Sequence, residues 1–339
     1  MNAIKTLGGV LKNRYLGKSV PVAITFALTF RCNLRCGYCQ IWKEAREEMT
    51  TRQVITAIDE LTEAGMCRLG FTGGEPLLRE DIHELAVHAK SKGLFTTIFT
   101  NGALIDGKMD TMRQFDVVLM SLDGPAEYHD RMRGKGAHAS AMHALDALKA
   151  EGIKVWTNTV VTKKNLKSVD WVLDLAQQYG NHAAFQPIFE HSYSVGAERV
   201  DQLRADQDEY NGLIDHLARR KAQGAPVLNS SRYLEYVRNP KWKQNPRHCL
   251  AAHVYGAVSP EGNVAPCPVL LQAKDLPNGL DIGFAEAYRR THKPVSCHGC
   301  FCIATVESDL LFGLDSGAVT NTLGYLVKEK LRTLKTARS

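Results

Sequence analysis

Val20-Pro21-Val22-Ala23-Ile24-Thr25-Phe26-Ala27-Leu28-Thr29-Phe30-Arg31-Cys32-Asn33-Leu34-Arg35-Cys36-Gly37-Tyr38-Cys39 is a strand that runs straight into a cysteine loop. Its first half, Val22–Phe30, is short and apolar with β-branched residues, as a strand buried on both faces requires. Its second half places three cysteines at C-x3-C-x2-C spacing. A four-iron cluster normally takes one thiolate at each iron corner. Three clustered thiolates hold three corners and leave one iron open, as an open position marks a catalytic zinc. Zinc or plain thiols are the alternative. Zinc wants a fourth ligand at matched spacing, and the nearest downstream histidine is His83.

Outward from this stretch, strand-like and helix-like segments alternate. Further strands are expected at Cys67–Phe71, Phe95–Thr100, Val117–Ser121, Lys154–Val161 and Ala183–Ile188. Helices are expected at Thr51–Glu63, Asp81–Lys92, Lys108–Gln114, Ala139–Glu151 and Leu166–Gln178. Thr50 or Thr51 supplies an N-cap for the first of these, and Gly65 a stop. Such alternation implies a parallel sheet clothed in helices. Periodicity leaves open whether the sheet is flat or curled. In either case the sites are expected at the C-terminal ends of the strands.

Other strand ends carry motifs of their own. Gly73-Gly74-Glu75-Pro76 follows the second strand, Thr100-Asn101-Gly102 closes the third, and Ser121-Leu122-Asp123-Gly124 closes the fourth. Glycines at such a place let backbone approach a ligand closely. Together with the cysteine loop and its aromatic Tyr38, these motifs resemble the radical S-adenosylmethionine (SAM) superfamily over nearly the whole chain. The resemblance implies a partial (βα)6 TIM-like barrel and a [4Fe-4S] cluster on Cys32, Cys36 and Cys39 with SAM at the open iron. It also implies a SAM pocket from Tyr38, Gly73, Gly74, Glu75, Ser121 and Arg133, with Asn158 a further candidate and Gln186 by the adenine. Arg133 is suited to pair bidentately with the methionine carboxylate.

The other cysteines lie mostly near the C-terminus. Cys249 precedes and Cys267 follows an expected hairpin, Tyr255–Ser259 and Asn263–Pro266, around the Pro260-Glu261-Gly262 turn. Cys297 and Cys300 form a C-x2-C pair. This region resembles the auxiliary-cluster extension called SPASM, or its shorter twitch form, which implies a second [4Fe-4S] cluster on Cys249, Cys267, Cys297 and Cys300. Cys302 is a substitute ligand or a spare thiol. A structural zinc site remains the alternative. His248 and His298 sit beside ligand cysteines as second partners. Cys67 reads as a core residue.

With 339 residues, 44% hydrophobic and 23% charged, the chain reads as a soluble globular protein. Its net charge of +6 reads as small and dispersed, without the basic stripe of a nucleic-acid binder. No secretory signal or membrane span is visible, so a cytoplasmic protein is expected. The organisation expected is a basic amphipathic helix over 1–19, the core over 20–198, and the cluster extension with its hairpin over 199–339. Ile4, Leu7, Leu11 and Tyr15 line one face of the first helix, which is expected to pack on the core. Peripheral contact with a membrane is the other reading of it. A final helix is expected over Val319–Leu334.

The activity implied by the resemblance is reductive cleavage of SAM to a 5′-deoxyadenosyl radical that takes hydrogen from a small molecule or peptide. Its electrons would come from a donor such as flavodoxin or ferredoxin. Two readings stand beside it. One is a radical SAM enzyme acting on a lipid-like substrate at the membrane. The other is a noncatalytic iron–sulfur electron carrier or redox sensor.

Overall fold

The computed structural model describes residues 3–44, 46–190, 193–238, 249–292 and 301–324. The six expected strands form as β1 (Ala23–Thr29), β2 (Arg68–Gly73), β3 (Phe95–Thr100), β4 (Val117–Ser121), β5 (Val155–Val161) and β6 (His182–Pro187). They pair in parallel, each beside the next in sequence. A doubly wound sheet reverses its order at a switch point. The unbroken order 6-5-4-3-2-1 is that of one wall of a barrel. Among the described residues β6 does not pair with the strand at the opposite edge of the sheet, so no barrel closes.

The hairpin extends this same sheet. β7 (Tyr255–Val258) pairs in parallel with β1, Ala23 opposite Tyr255, and β8 (Val264–Ala265) returns antiparallel to give the order β6-β5-β4-β3-β2-β1-β7-β8. The sheet therefore crosses the boundary expected near residue 198.

Eight helices precede the C-terminal part: α1 (Ala3–Leu16), α2 (Thr51–Glu63), α3 (Ile82–Ser91), α4 (Met109–Met112), α5 (Ala126–Arg133), α6 (Ala137–Ala150), α7 (Val169–Tyr179) and α8 (Ala197–Leu203). Later described helices include α9 (Gln207–Ala222), α10 (Ser231–Arg238), α11 (Gly279–Ile282), α12 (Phe284–Arg290) and α13 (Ile303–Phe312). α2 shows why they form. Thr50 and Gln53 make a reciprocal capping box. Val54, Ala57, Ile58 and Leu61 then recur at helical spacing and are fully buried. Their neighbours in the main core include Phe26, Leu69 and Phe71 from the sheet and Phe284, Ala287 and Tyr288 from α12. A second core joins α7 to α9, α10 and α13 through residues such as Leu173, Leu217, Leu234 and Leu310.

Two expectations need correction. Periodicity gives no sign of α5, because its sequence, AEYHDRMR, has no apolar face. Its buried residues are His129, Met132 and Arg133. α1 packs by a different face from the expected one. Gly9 and Val10 are buried, while Leu7 and Tyr15 are exposed. A helix resumes over 316–324, and the rest of the expected final helix lies outside the described residues. No described helix is long and apolar enough to cross a membrane.

Candidate radical and cofactor site

The three-cysteine loop leaves the C-terminal end of β1 and is strapped down on three sides. Gly74 N donates to Thr29 O at 2.7 Å and Glu75 N to Arg31 O at 2.9 Å. Gly37 N donates to Met132 O of α5 at 2.7 Å, and Gln40 N to Tyr193 O at 2.8 Å. On its outer side, Glu48 accepts from Thr29 Oγ1 and, at 2.8 Å, from Arg31 Nε. The glycines are required by this packing. A Cβ on Gly73 would lie 2.1 Å from Thr29 O, and one on Gly74 2.1 Å from Arg31 O. Gly73 also has φ of +134°, which side chains rarely adopt. The close approach read from the sequence is thus first an approach to the chain's own cysteine loop.

Glu75 is fully buried and accepts from Leu77 N at 3.1 Å, Thr100 Oγ1 at 2.9 Å and Asn101 N at 2.9 Å. Burial pushes its carboxyl up to about 7 against the pull of these donors. Asn101 Nδ2 then reaches Asn33 Oδ1 at 2.8 Å. Glu75 therefore welds the ends of β2 and β3 to the cysteine loop, and its three partners are protein groups.

A buried knot supports the other side of the loop. Asp123 accepts from Tyr38 OH at 2.9 Å, Arg133 Nε at 2.7 Å and, on its other oxygen, Val160 N at 3.0 Å. Arg133 Nη2 adds a 3.3 Å bond, and the guanidinium lies 5.5 Å from the centre of the Tyr38 ring. Asp123 N donates to His129 Nδ1 at 3.1 Å. Burial opposes the Asp123 charge, but Arg133 outweighs it and holds the carboxyl below its ordinary value. The fork expected to grip a methionine carboxylate is thus engaged by Asp123, a residue the motif reading did not single out. No spacing rule joins positions 38, 123 and 133, so only the fold shows them to be partners.

Burial raises all three thiols, Cys39 up to about 11, while Arg133 draws Cys36 back toward its charged form. Among the described residues no three His, Cys, Asp or Glu side chains converge as one metal ion requires. A four-iron cluster separates its corner irons, so three thiols on one loop that do not converge on a point fit it. Across the sheet, Ser121 and Asn158 are register partners on β4 and β5. Asn158 Oδ1 is buried with no partner among the described residues, an acceptor that fits a donor on a bound ligand. Gln186 is engaged otherwise: its Oε1 accepts from Ile303 N at 2.9 Å and ties β6 to α13.

Cys249 and Cys267 sit at the other end of the sheet. Cys249 and Cys267 pack with Val20, Val22 and Cys67 at the N-terminal ends of β1 and β2. Cys249 Sγ lies 3.4 Å from Tyr255 OH, which donates to Asp309 of α13 at 2.8 Å. Cys302 occupies the N-cap position of α13 without a side-chain capping bond. Cys67 is buried as expected. Cys297, Cys300, His248 and His298 lie outside the described residues. Cys32, Cys36, Cys39, Cys67 and Cys302 are free thiols.

Comparison with known proteins agrees with this geometry. The model of the Radical SAM superfamily matches residues 26–176. The mycofactocin maturase MftC of Mycobacterium ulcerans is 30% identical over 301 residues, covering 84% of this chain and 80% of that protein. The PqqA peptide cyclase of Granulibacter bethesdensis is 27% identical over 259 residues, covering 73% of this chain and 67% of that protein. Among solved structures, Streptococcus suis SuiB bound to the precursor peptide SuiA superposes with a TM-score of 0.65 at 16% identity, over 83% of this chain and 68% of that one.

Proposed function

Because the chain belongs to the radical SAM superfamily, we propose that this enzyme takes a hydrogen atom from a peptide during the maturation of a peptide-derived product. The observation that carries the peptide reading is the likeness to a peptide cyclase over 73% of the chain. When bound, the cluster and SAM supply the radical chemistry: one electron splits SAM into methionine and a 5′-deoxyadenosyl radical, which abstracts hydrogen from the substrate.

The residues divide the remaining work. Cys32, Cys36 and Cys39 would hold the cluster. Gly73 and Gly74 set the loop's height over the sheet, and Glu75 fixes that height from beneath. Tyr38 and Asp123 fix Arg133 beside Cys36, where its charge draws the thiol toward the thiolate that iron needs, against burial and Asp123, which raise it. Ser121 at the end of β4 and its register partner Asn158 on β5 would line the pocket, and the unpartnered Asn158 Oδ1 would accept a hydrogen bond from SAM. Arg133 would meet the methionine carboxylate only with a group not given to Asp123.

A second cluster on Cys249, Cys267, Cys297 and Cys300 is part of the proposal. What supports it is the convergence of Cys249 and Cys267 on one side of the hairpin. Electrons would arrive from a flavodoxin or ferredoxin. A cytoplasmic location would suit the free thiols of Cys32, Cys36, Cys39 and Cys67.

The test uses protein reconstituted without oxygen. Iron should reach about eight per chain if both sites hold four-iron clusters, and Cys267→Ser should lower it to about four. SAM and a strong reductant should yield 5′-deoxyadenosine, and Cys36→Ala should abolish that yield. Deuterated candidate peptides should pass label into 5′-deoxyadenosine. Label passing only from a small metabolite would overturn the peptide assignment and leave the radical chemistry standing.

A further inference from the structure

We propose that α1 lays an apolar stripe, flanked by basic side chains, onto an anionic lipid surface at the end of the molecule opposite the cysteine loop. Leu7, Leu11 and Tyr15 follow one another at i, i+4 and i+8, so they share a face. Leu7 is 49% exposed and Tyr15 74% exposed. The opposite face binds the helix to the protein. Gly9 lies so close that a Cβ there would fall 2.5 Å from Val22 Cγ2. Val10 is buried, and Thr6 Oγ1 lies 3.2 Å from Cys67 Sγ. An apolar stripe turned outward while a glycine faces the core has the opposite polarity to a helix that serves only to cover its own domain.

Charge identifies the partner. The net charge, expected to be dispersed, is concentrated at the two ends of the chain. Residues 1–19 carry four basic and no acidic side chains, and 325–339 carry five basic and one acidic. Of 42 basic and 36 acidic residues, 33 and 35 remain between, so the body is slightly negative. Lys12, Arg14 and Lys18 are exposed. Apolar residues flanked by lysine and arginine, with a tyrosine among them, are the composition of helices that lie in an anionic interface. A second copy would set these like charges against each other. A bound peptide uses a groove or a sheet edge, and the outward side of a single helix offers neither. α1 sits beside the N-terminal ends of β1 and β2, so docking there leaves the cysteine loop facing away from the lipid.

The test is sedimentation of the full chain with phosphatidylcholine vesicles, with and without phosphatidylglycerol. The wild type should sediment with the anionic vesicles only, and less so in high salt. Lys12→Gln with Lys18→Gln should weaken partitioning about 30-fold, at roughly fivefold per basic residue. Leu7→Gln with Tyr15→Gln should also release it, with thermal unfolding unchanged because both side chains are exposed. The proposal is overturned if the folded wild type stays in solution with both vesicle types, or if Leu7→Gln with Tyr15→Gln binds as before. It is equally overturned if light scattering shows a wild-type dimer that those substitutions convert to a monomer.

Discussion

Asp123 holds together more of the site than any residue the motifs name. It takes two bonds from Arg133, one from Tyr38 and one from the backbone of β5, all inside the protein. Asp123→Asn would leave a buried guanidinium uncompensated, at a cost of about 3–5 kcal/mol. Denaturant unfolding of the variant should show that loss. His129, packed behind it, gives a pH signature. Burial, then repulsion from Arg133, lowers its pKa to about 4, against an ordinary value of about 6.5 in the unfolded chain. Between these values the unfolded state binds the proton and the folded state does not. Stability is therefore intact above about pH 6.5 and should fall by roughly 2–3 kcal/mol as pH drops toward 4. His129→Gln, which keeps an acceptor for Asp123 N, should flatten that slope in unfolding measured across the range. The cysteines and the paired glycines were legible in the sequence because each motif is local and its chemistry is written in neighbouring positions. Asp123 was not, since its partners lie 85 residues before it and 10 after.

At the level of elements, the strands were the most legible feature. β3 and β4 fall on their expected bounds and the others within two residues, because short apolar runs with glycine stops have few other ways to fold. α5 and the face of α1 were misread for a common reason. Apolar periodicity locates an inward face only when that face is apolar, whereas α5 turns a histidine and an arginine inward and α1 a glycine. The turn after β2 allows a sharp test. Gly74→Ala would drive a Cβ to 2.1 Å from Arg31 O and 2.7 Å from Phe30 O, both backbone atoms with little freedom to yield. The turn would have to lift off the cysteine loop. Thermal unfolding should show a loss of about 2 kcal/mol or more, and reconstituted iron at the early loop should fall with it.

Over the whole molecule, the eight-stranded sheet takes strands from both the N-terminal and the C-terminal parts. β1 is central in the sheet only because β7 covers its edge. Phe284, Ala287 and Tyr288 complete the core under α2, and Phe284 N donates to Glu60 at 2.6 Å. A fragment ending at residue 198 would bare the edge of β1 and unroof that core. It should be recovered as aggregate, and solubility with light scattering would check this. The sequence divided the chain where its composition changes, but sheet pairing is a long-range property that composition does not record.

β1 also works as a ruler. The early thiols follow its last residue, and Cys267 lies two residues beyond Ala265, whose partner Ala257 pairs with Thr25 on β1. From Ala23, two residues below Thr25, to Thr29 is about 20 Å at ~3.3 Å per residue. Hydrogen bonds on both sides keep the interval from stretching or shortening. Two redox groups pinned to its ends would communicate through peptide bonds instead of by touch. A metabolite the size of an amino acid would then meet one of them at a time, while an extended peptide of six or seven residues has the reach to span the gap.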